Sequence, residues 1–480
     1  MSDQASNNQT DSNRSALDQA FEDSIQDRKK DNSLFSEFNS VSEKAFKQQI
    51  QYDLRGADYN ETLLWQSPEG INVKPFYHRE NSAGINIPGQ PNNWSIAEEV
   101  YVLDEIQAAK KANTILQKGT ESIIFKADDA FDSKKLLSKI TQPLKELYFS
   151  FTFLDSDFLS SLCENLKTYN AYLNLDPVGQ LAFTGNWFKN QKDDFTVLEN
   201  LFLNPSSDNV IAIDVAGYHN TGANAIQQLA YALAHANEYL NYFGEKLKQQ
   251  TLTFKIACGS NYFFEIAKLR ALRLLYKTLA AEYNLPETCH ILATPALRNK
   301  TLYDYNTNLL RTTTEAMSAV LGGANSICNL PYDALYHKSN EFGQRISRNQ
   351  LLILKHESYF DRVANPAEGT YYIESLTTQF AEQALELFKE LEAGGGLITQ
   401  LIEGKIQKKI KETAAKEQAQ FDTGKKILVG TNKYQNPEDR MKSELELYPF
   451  VKIKPRKTLI EPLIAKRISE ESEQKRLKDE

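Results

Sequence analysis

The run Val210-Ile211-Ala212-Ile213-Asp214-Val215 decides the fold. It is short, rich in Val and Ile and apolar almost throughout, so it reads as a strand covered on both faces rather than as one with a wet side. An amphipathic stretch, 222–247, follows it. A second apolar run, Thr251–Ala257, leads to a helix predicted over 261–284, and a third, His290–Ala293, comes next. Strands alternating with helix-length segments build a parallel sheet.

The same rhythm extends outward in both directions. Upstream are the runs Ile96–Val102, Ser122–Phe125, Leu147–Phe153 and Ala171–Leu175, separated by helices predicted over 104–117, 132–140, 156–168 and 190–202. Downstream are a helix over 305–322, the run Asn325–Cys328 and a helix over 340–356. Eight βα units in about 260 residues fit one α/β (β/α)8 TIM barrel. An open doubly wound sheet usually opens on a Gly-rich phosphate loop. Neither GxGxxG nor GxxxxGK[ST] occurs, so the barrel is preferred.

The rest of the chain divides around this barrel, placed at 94–373. Residues 1–32, polar and rich in Ser, Asn, Asp and Gln, read as a disordered tail. Residues 33–93 carry a helix near 41–52 and then an extended arm dense in Gly, Pro and aromatics. Residues 374–454 hold helices over 374–390 and 400–419 plus a linker, and 455–480 is a charged end expected to fray.

Composition narrows the function classes. The 480 residues carry a formal net charge of -8, with 41% hydrophobic and 25% charged residues. A mildly acidic chain is poorly suited to nucleic acid or an anionic membrane surface. The four cysteines, Cys163, Cys258, Cys289 and Cys328, form no CxxC pair, which argues for reduced thiols and against a zinc site. No apolar run approaches the ~18 residues of a membrane helix, and the N-terminus resembles neither a signal nor a transit peptide, so a cytoplasmic location is expected.

Chemistry in a barrel sits at the C-terminal ends of its strands. There the fifth strand runs into Gly217-Tyr218-His219-Asn220. A histidine in that place could donate a proton or a hydrogen bond to a carbonyl, or could simply tie neighbouring loops together. The residues alone leave both open. Glu265 and Lys268 are i, i+3 neighbours able to pair at the barrel rim. The remaining histidines have no metal-ligand spacing, and HExxH and GxSxG are absent.

Several stretches in order resemble the methylmalonyl-CoA mutase family. They are Asp53-Leu54-Arg55-Gly56-Ala57-Asp58-Tyr59, Leu64-Trp65-Gln66-Ser67-Pro68-Glu69-Gly70-Ile71, Gly217-Tyr218-His219, Phe263-Phe264-Glu265-Ile266-Ala267-Lys268-Leu269-Arg270, Arg311-Thr312-Thr313-Thr314-Glu315-Ala316-Met317 and Asn365-Pro366-Ala367-Glu368-Gly369-Thr370. The resemblance implies a barrel that threads coenzyme A along its axis. It also implies radical isomerisation of succinyl-CoA and methylmalonyl-CoA with adenosylcobalamin, whose cobalt is ligated by a histidine within DxHxxG on a separate C-terminal domain.

Against that pattern the chain departs where the chemistry resides. No DxHxxG occurs, so no cobalamin-binding domain is expected here. The family's Trp-Thr-Ile-Arg-Gln-Tyr is replaced by Trp94-Ser95-Ile96-Ala97-Glu98-Glu99, which sets a carboxylate, Glu99, where a tyrosine sits beside the substrate. The stretch Asp176–Trp187 has no arginine to pair bidentately with a substrate carboxylate. The histidine beyond the family's Gly-Gly pair is replaced near Cys328.

The resemblance therefore implies a small, non-catalytic chain within an isomerase complex. Tyr218, His219 and Glu99 are vestiges, this chain holds no cofactor or metal, and adenosylcobalamin is bound by a large catalytic partner subunit in a heterodimer. The alternative is a catalytic barrel working with a separate cobalamin-binding subunit.

Overall fold

The computed structural model describes residues 38–81, 84–203, 209–452 and 455–480. The tail expected at 1–32 lies outside these. Two compact units are distinguished, the first ending at Leu64 and the second spanning Trp65–Glu480. In the first, helix Glu43–Asp53 starts on Ser42, whose hydroxyl accepts from Ala45 N at 3.2 Å, and Lys47 lies over the Tyr59 ring.

The second unit is built on eight parallel strands: β1 Ser95–Tyr101, β2 Ser122–Ala127, β3 Leu147–Phe151, β4 Ala171–Tyr172, β5 Ala212–Asp214, β6 Thr253–Cys258, β7 His290–Pro295 and β8 Ser326–Cys328. Their hydrogen-bonded order is β4-β3-β2-β1-β8-β7-β6-β5. A parallel bridge between Leu175 and Ile211 joins the two ends, with Leu175 N bonded to Val210 O at 2.9 Å and Ala212 N to Leu175 O at 3.2 Å. The sheet thus closes into the expected (β/α)8 barrel. No helix among the described residues is long and apolar enough to cross a membrane.

Strand period two sorts each strand's side chains between the lumen and the surrounding helices. On β1, Ile96 and Val100 join the large core against the helices, whereas Ala97 belongs to a separate cluster with Ile124, Tyr148, Tyr172, Leu292 and Cys328 that fills the lumen. Helices start at the strands' C-terminal ends because the sequence places caps there. Asp104, Asp132, Asp155, Asp176 and Asp214 each accept a backbone N–H three residues on.

Within the barrel, helices Pro177–Thr184 and Val215–Thr221 were not foreseen. The predicted 400–419 helix resolves into Gly396–Ile402 and Lys405–Asp422, separated at Gly404, which adopts φ +72°. The end of the chain is a correction: 455–480 does not fray. Ile460, Leu463 and Ile468 are buried, and helix Glu470–Asp479 is held by Arg467–Glu473 at 2.5 Å, while Glu473 accepts from Leu302 N at 2.9 Å. Arg467 and Glu473 thus meet in a buried pair rather than in water.

Candidate functional site

A cleft of about 610 Å³ opens over the C-terminal ends of β5, β6 and β7. Helix Val215–Thr221, capped by Asp214, sets His219 into its wall, and Asn261 begins the helix Tyr262–Glu282 that contributes Phe264 and Glu265. The Trp65 ring packs on Phe264 at 5.6 Å between centroids.

His219 Nδ1 lies 3.2 Å from Gln228 Oε1. The Gln228 amide nitrogen donates to Ala223 O at 2.7 Å, and its oxygen also accepts from Lys268 Nζ at 2.9 Å. The network therefore assigns the imidazole proton to Nδ1 and leaves Nε2 a lone-pair acceptor beside Gly259. Burial, and then the Lys268 ammonium, push His219 well below its ordinary pKa, so the ring is neutral. Lys268 pairs with Glu265 at 2.5 Å, as their spacing suggested. Across the cleft, burial would raise the Glu417 carboxyl, but Lys426 and Arg298 outweigh it and hold the pKa at about 2.

Tyr218 turns away from this cleft. It is fully buried, its hydroxyl 3.2 Å from His235 Nδ1, and His235 Nε2 donates to Asp176 Oδ1 at 2.7 Å. Tyr239 donates to the same oxygen at 2.7 Å. Burial and then Asp176 raise the Tyr218 phenol well above its ordinary pKa. Adjacent in sequence, Tyr218 and His219 thus serve separate networks.

Glu99 stands in a third place, on the lumen-facing side of β1. Its carboxylate pairs with Lys126 at 2.6 Å, and its side chain is 46% exposed. Its neighbour Glu98 is buried and faces outward to Arg348 at 2.8 Å. A second lumen pair, Lys255–Asp214, spans 3.1 Å. The three residues singled out from the sequence are therefore not brought together.

Below these ion pairs the axis is filled. Tyr148 stacks on Tyr172 at 4.8 Å, Tyr172 lies 4.3 Å from His290, and Tyr148 Oη is 2.9 Å from His290 Nε2 and 2.7 Å from Ser326 Oγ. Burial, followed by Arg273, lowers the His290 pKa to about 3. Sequence reasoning missed this stack. Its only signal was three aromatic side chains at lumen parity on β3, β4 and β7.

His235 is engaged at both ring nitrogens, by Tyr218 and Asp176, and His290 at Nε2 by Tyr148, whereas His219 is held only through Nδ1. No group of three or more His, Cys, Asp or Glu able to hold a metal occurs among the described residues.

Fold and site together define a (β/α)8 barrel with a cleft over β5–β7 and a closed axis. The methylmalonyl-CoA mutase family profile matches residues 167–478. The chain is 32% identical over 444 residues to the methylmalonyl-CoA mutase small subunit of Porphyromonas gingivalis, covering 84% of this chain and 71% of that one. It is 38% identical over 235 residues to the methylmalonyl-CoA mutase of Cereibacter sphaeroides, covering 46% and 33%. To the mitochondrial methylmalonyl-CoA mutase of Bos taurus it is 28% identical over 443 residues, covering 78% and 58%. Alignment thus reaches between 33% and 58% of the length of those two mutases. This chain belongs to the methylmalonyl-CoA mutase family.

Proposed function

We propose that this chain is the non-catalytic small subunit of a heterodimeric, adenosylcobalamin-dependent methylmalonyl-CoA mutase, supporting a longer catalytic chain that binds the cofactor. One observation carries the reading. The Tyr148–Tyr172–His290 stack occupies the axis along which a family barrel is expected to thread coenzyme A. A pantetheine arm cannot pass three packed rings without displacing them, and displacing buried aromatics costs several kcal/mol.

The barrel mouth supports the same reading. Glu99–Lys126 and Asp214–Lys255 already neutralise one another, so neither lysine offers a free charge to an acyl carboxylate. What is kept is the barrel as a rigid body. Its use is an interface, which for an obligate pair buries on the order of 2,000 Å² or more.

The test is a pull-down of the tagged full chain from its native cytosol, with partners identified by mass. A longer homologous chain carrying DxHxxG is the expected result. Recovery of a short, free-standing cobalamin-binding protein would instead make this barrel the catalytic half and overturn the proposal.

A further inference from the structure

A second concavity lies on the outside of the barrel, between helices Glu105–Gln117 and Glu341–Leu352, which follow the neighbouring strands β1 and β8. It is a groove of about 330 Å³, at the lower end of the range for small-ligand sites, ~300–1,000 Å³. Its lining carries four basic side chains and one acidic one, Glu341. Lys110, Lys111, Lys118 and Arg348 all face it, in a chain whose net charge is -8.

Two of the four cations are accounted for. Lys118 pairs with Glu341 at 2.8 Å, and Arg348 Nη1 with Glu98 Oε1 at 2.8 Å. Lys110 and Lys111 have no carboxylate within ion-pair reach among the described residues. The nearest polar atom to the Lys111 ammonium in hydrogen-bond range is the Ser339 hydroxyl at 3.5 Å. Arg348 is 3% exposed, yet its Nε has no hydrogen-bond partner. A buried guanidinium normally satisfies its donors, because each unmet one costs free energy. Burial also pulls the Lys111 pKa below its ordinary value, against the opposing pull of Glu98 and Glu99.

The groove therefore holds surplus positive charge on packed helices, with the Gln107 side chain available as a neutral polar neighbour. We propose that it binds a compact, multiply charged phosphate-type anion, either inorganic pyrophosphate or the phosphate end of a larger ligand. Charge-assisted hydrogen bonds from Lys110 and Lys111 would hold the anion, and Arg348 would supply field from the groove floor. The site is remote from the cleft over His219 and the barrel axis, and it stands whether or not the chain acts as a small subunit.

Calorimetric titration of the full chain with pyrophosphate, and separately with ATP, tests this at about 50 mM salt and again at about 200 mM. Saturable one-site binding that weakens as salt rises is expected. The double variant Lys110→Gln, Lys111→Gln should lose about tenfold or more in affinity while melting at the wild-type temperature. The Lys110→Arg, Lys111→Arg pair should restore binding to within about threefold. ATP displaced by pyrophosphate would show that the phosphates are what is read. Adenosine competing as well as ATP would overturn the proposal, as would no saturable binding by folded wild-type protein or undiminished binding by the glutamine pair.

Discussion

Tyr148 Oη lies 2.9 Å from His290 Nε2 inside the barrel, and the two rings are closed off by Tyr172 stacked on the first of them. The relationship joins β3 to β7 across the lumen, so it braces strands that are not neighbours in the sheet. Tyr148 is fully buried. Tyr148→Ala should leave a cavity and cost about 3–5 kcal/mol, as large-to-small aromatic changes in cores do. Tyr148→Phe keeps the volume but strands the imidazole nitrogen and the Ser326 hydroxyl, at about 1–3 kcal/mol. Urea unfolding of the three proteins measures both. Equal losses for Ala and Phe would mean that the hydroxyl, not the ring, is what holds the lumen.

The same pair gives a pH signature. The folded-state pKa of His290 is about 3, against about 6.5 for an unperturbed histidine. A base with a depressed folded pKa takes up its proton more readily in the unfolded chain. Its contribution is therefore complete above about pH 6.5 and is lost as pH falls from there toward about 3, at roughly 1.4 kcal/mol per unit. His290→Gln removes that titration. Between about pH 6 and 4 its stability should fall less steeply than the wild type's by about that slope. Parallel curves would mean that the ring is protonated within the fold.

What the sequence made legible follows from what each signal encodes. The strand runs, the long amphipathic helices and the Glu265–Lys268 pair all stem from local periodicity, and the structure reproduces them. Helix Pro177–Thr184 escaped because eight residues are too few for a 3.6 period to show, although Asp176 followed by Pro177 is an N-cap with proline in the first turn. The partner of Glu99 is not legible, because alternation reports which face a residue takes and not what stands beside it. Lys126 is 27 positions away in sequence and 2.6 Å away across the ladder. The aromatic stack is invisible for the same reason, since it depends on which lumen side chains of β3, β4 and β7 meet.

If this barrel is a supporting subunit, His219 has no substrate to act upon, however well its tautomer is set by Gln228. Within the assembled complex, His219→Ala in this chain should leave turnover within about twofold of wild type. The matching substitution in the partner chain is the positive control and should abolish most of the activity. A loss of about a hundredfold from the change in this chain alone would show that the cleft over β5–β7 takes part in the reaction.

The charged end of the chain makes the sharpest demand on stability. Arg467 is 5% exposed and Glu473 1%, and they pair at 2.5 Å while Glu473 also accepts from Leu302 N and the Ser469 hydroxyl. Removing one member leaves a buried charge uncompensated, so Arg467→Ala should cost about 3–5 kcal/mol. Replacing both, as Arg467→Met with Glu473→Leu, removes both desolvation costs. It also strands Leu302 N and the Ser469 hydroxyl, so the double variant should still be less stable than wild type, by about 1–3 kcal/mol for each unmet donor. Were the end free to fray, a single neutralisation would let Glu473 hydrate and both variants would unfold with the wild type. Denaturation midpoints of the three proteins therefore distinguish a packed terminal helix from a solvated one.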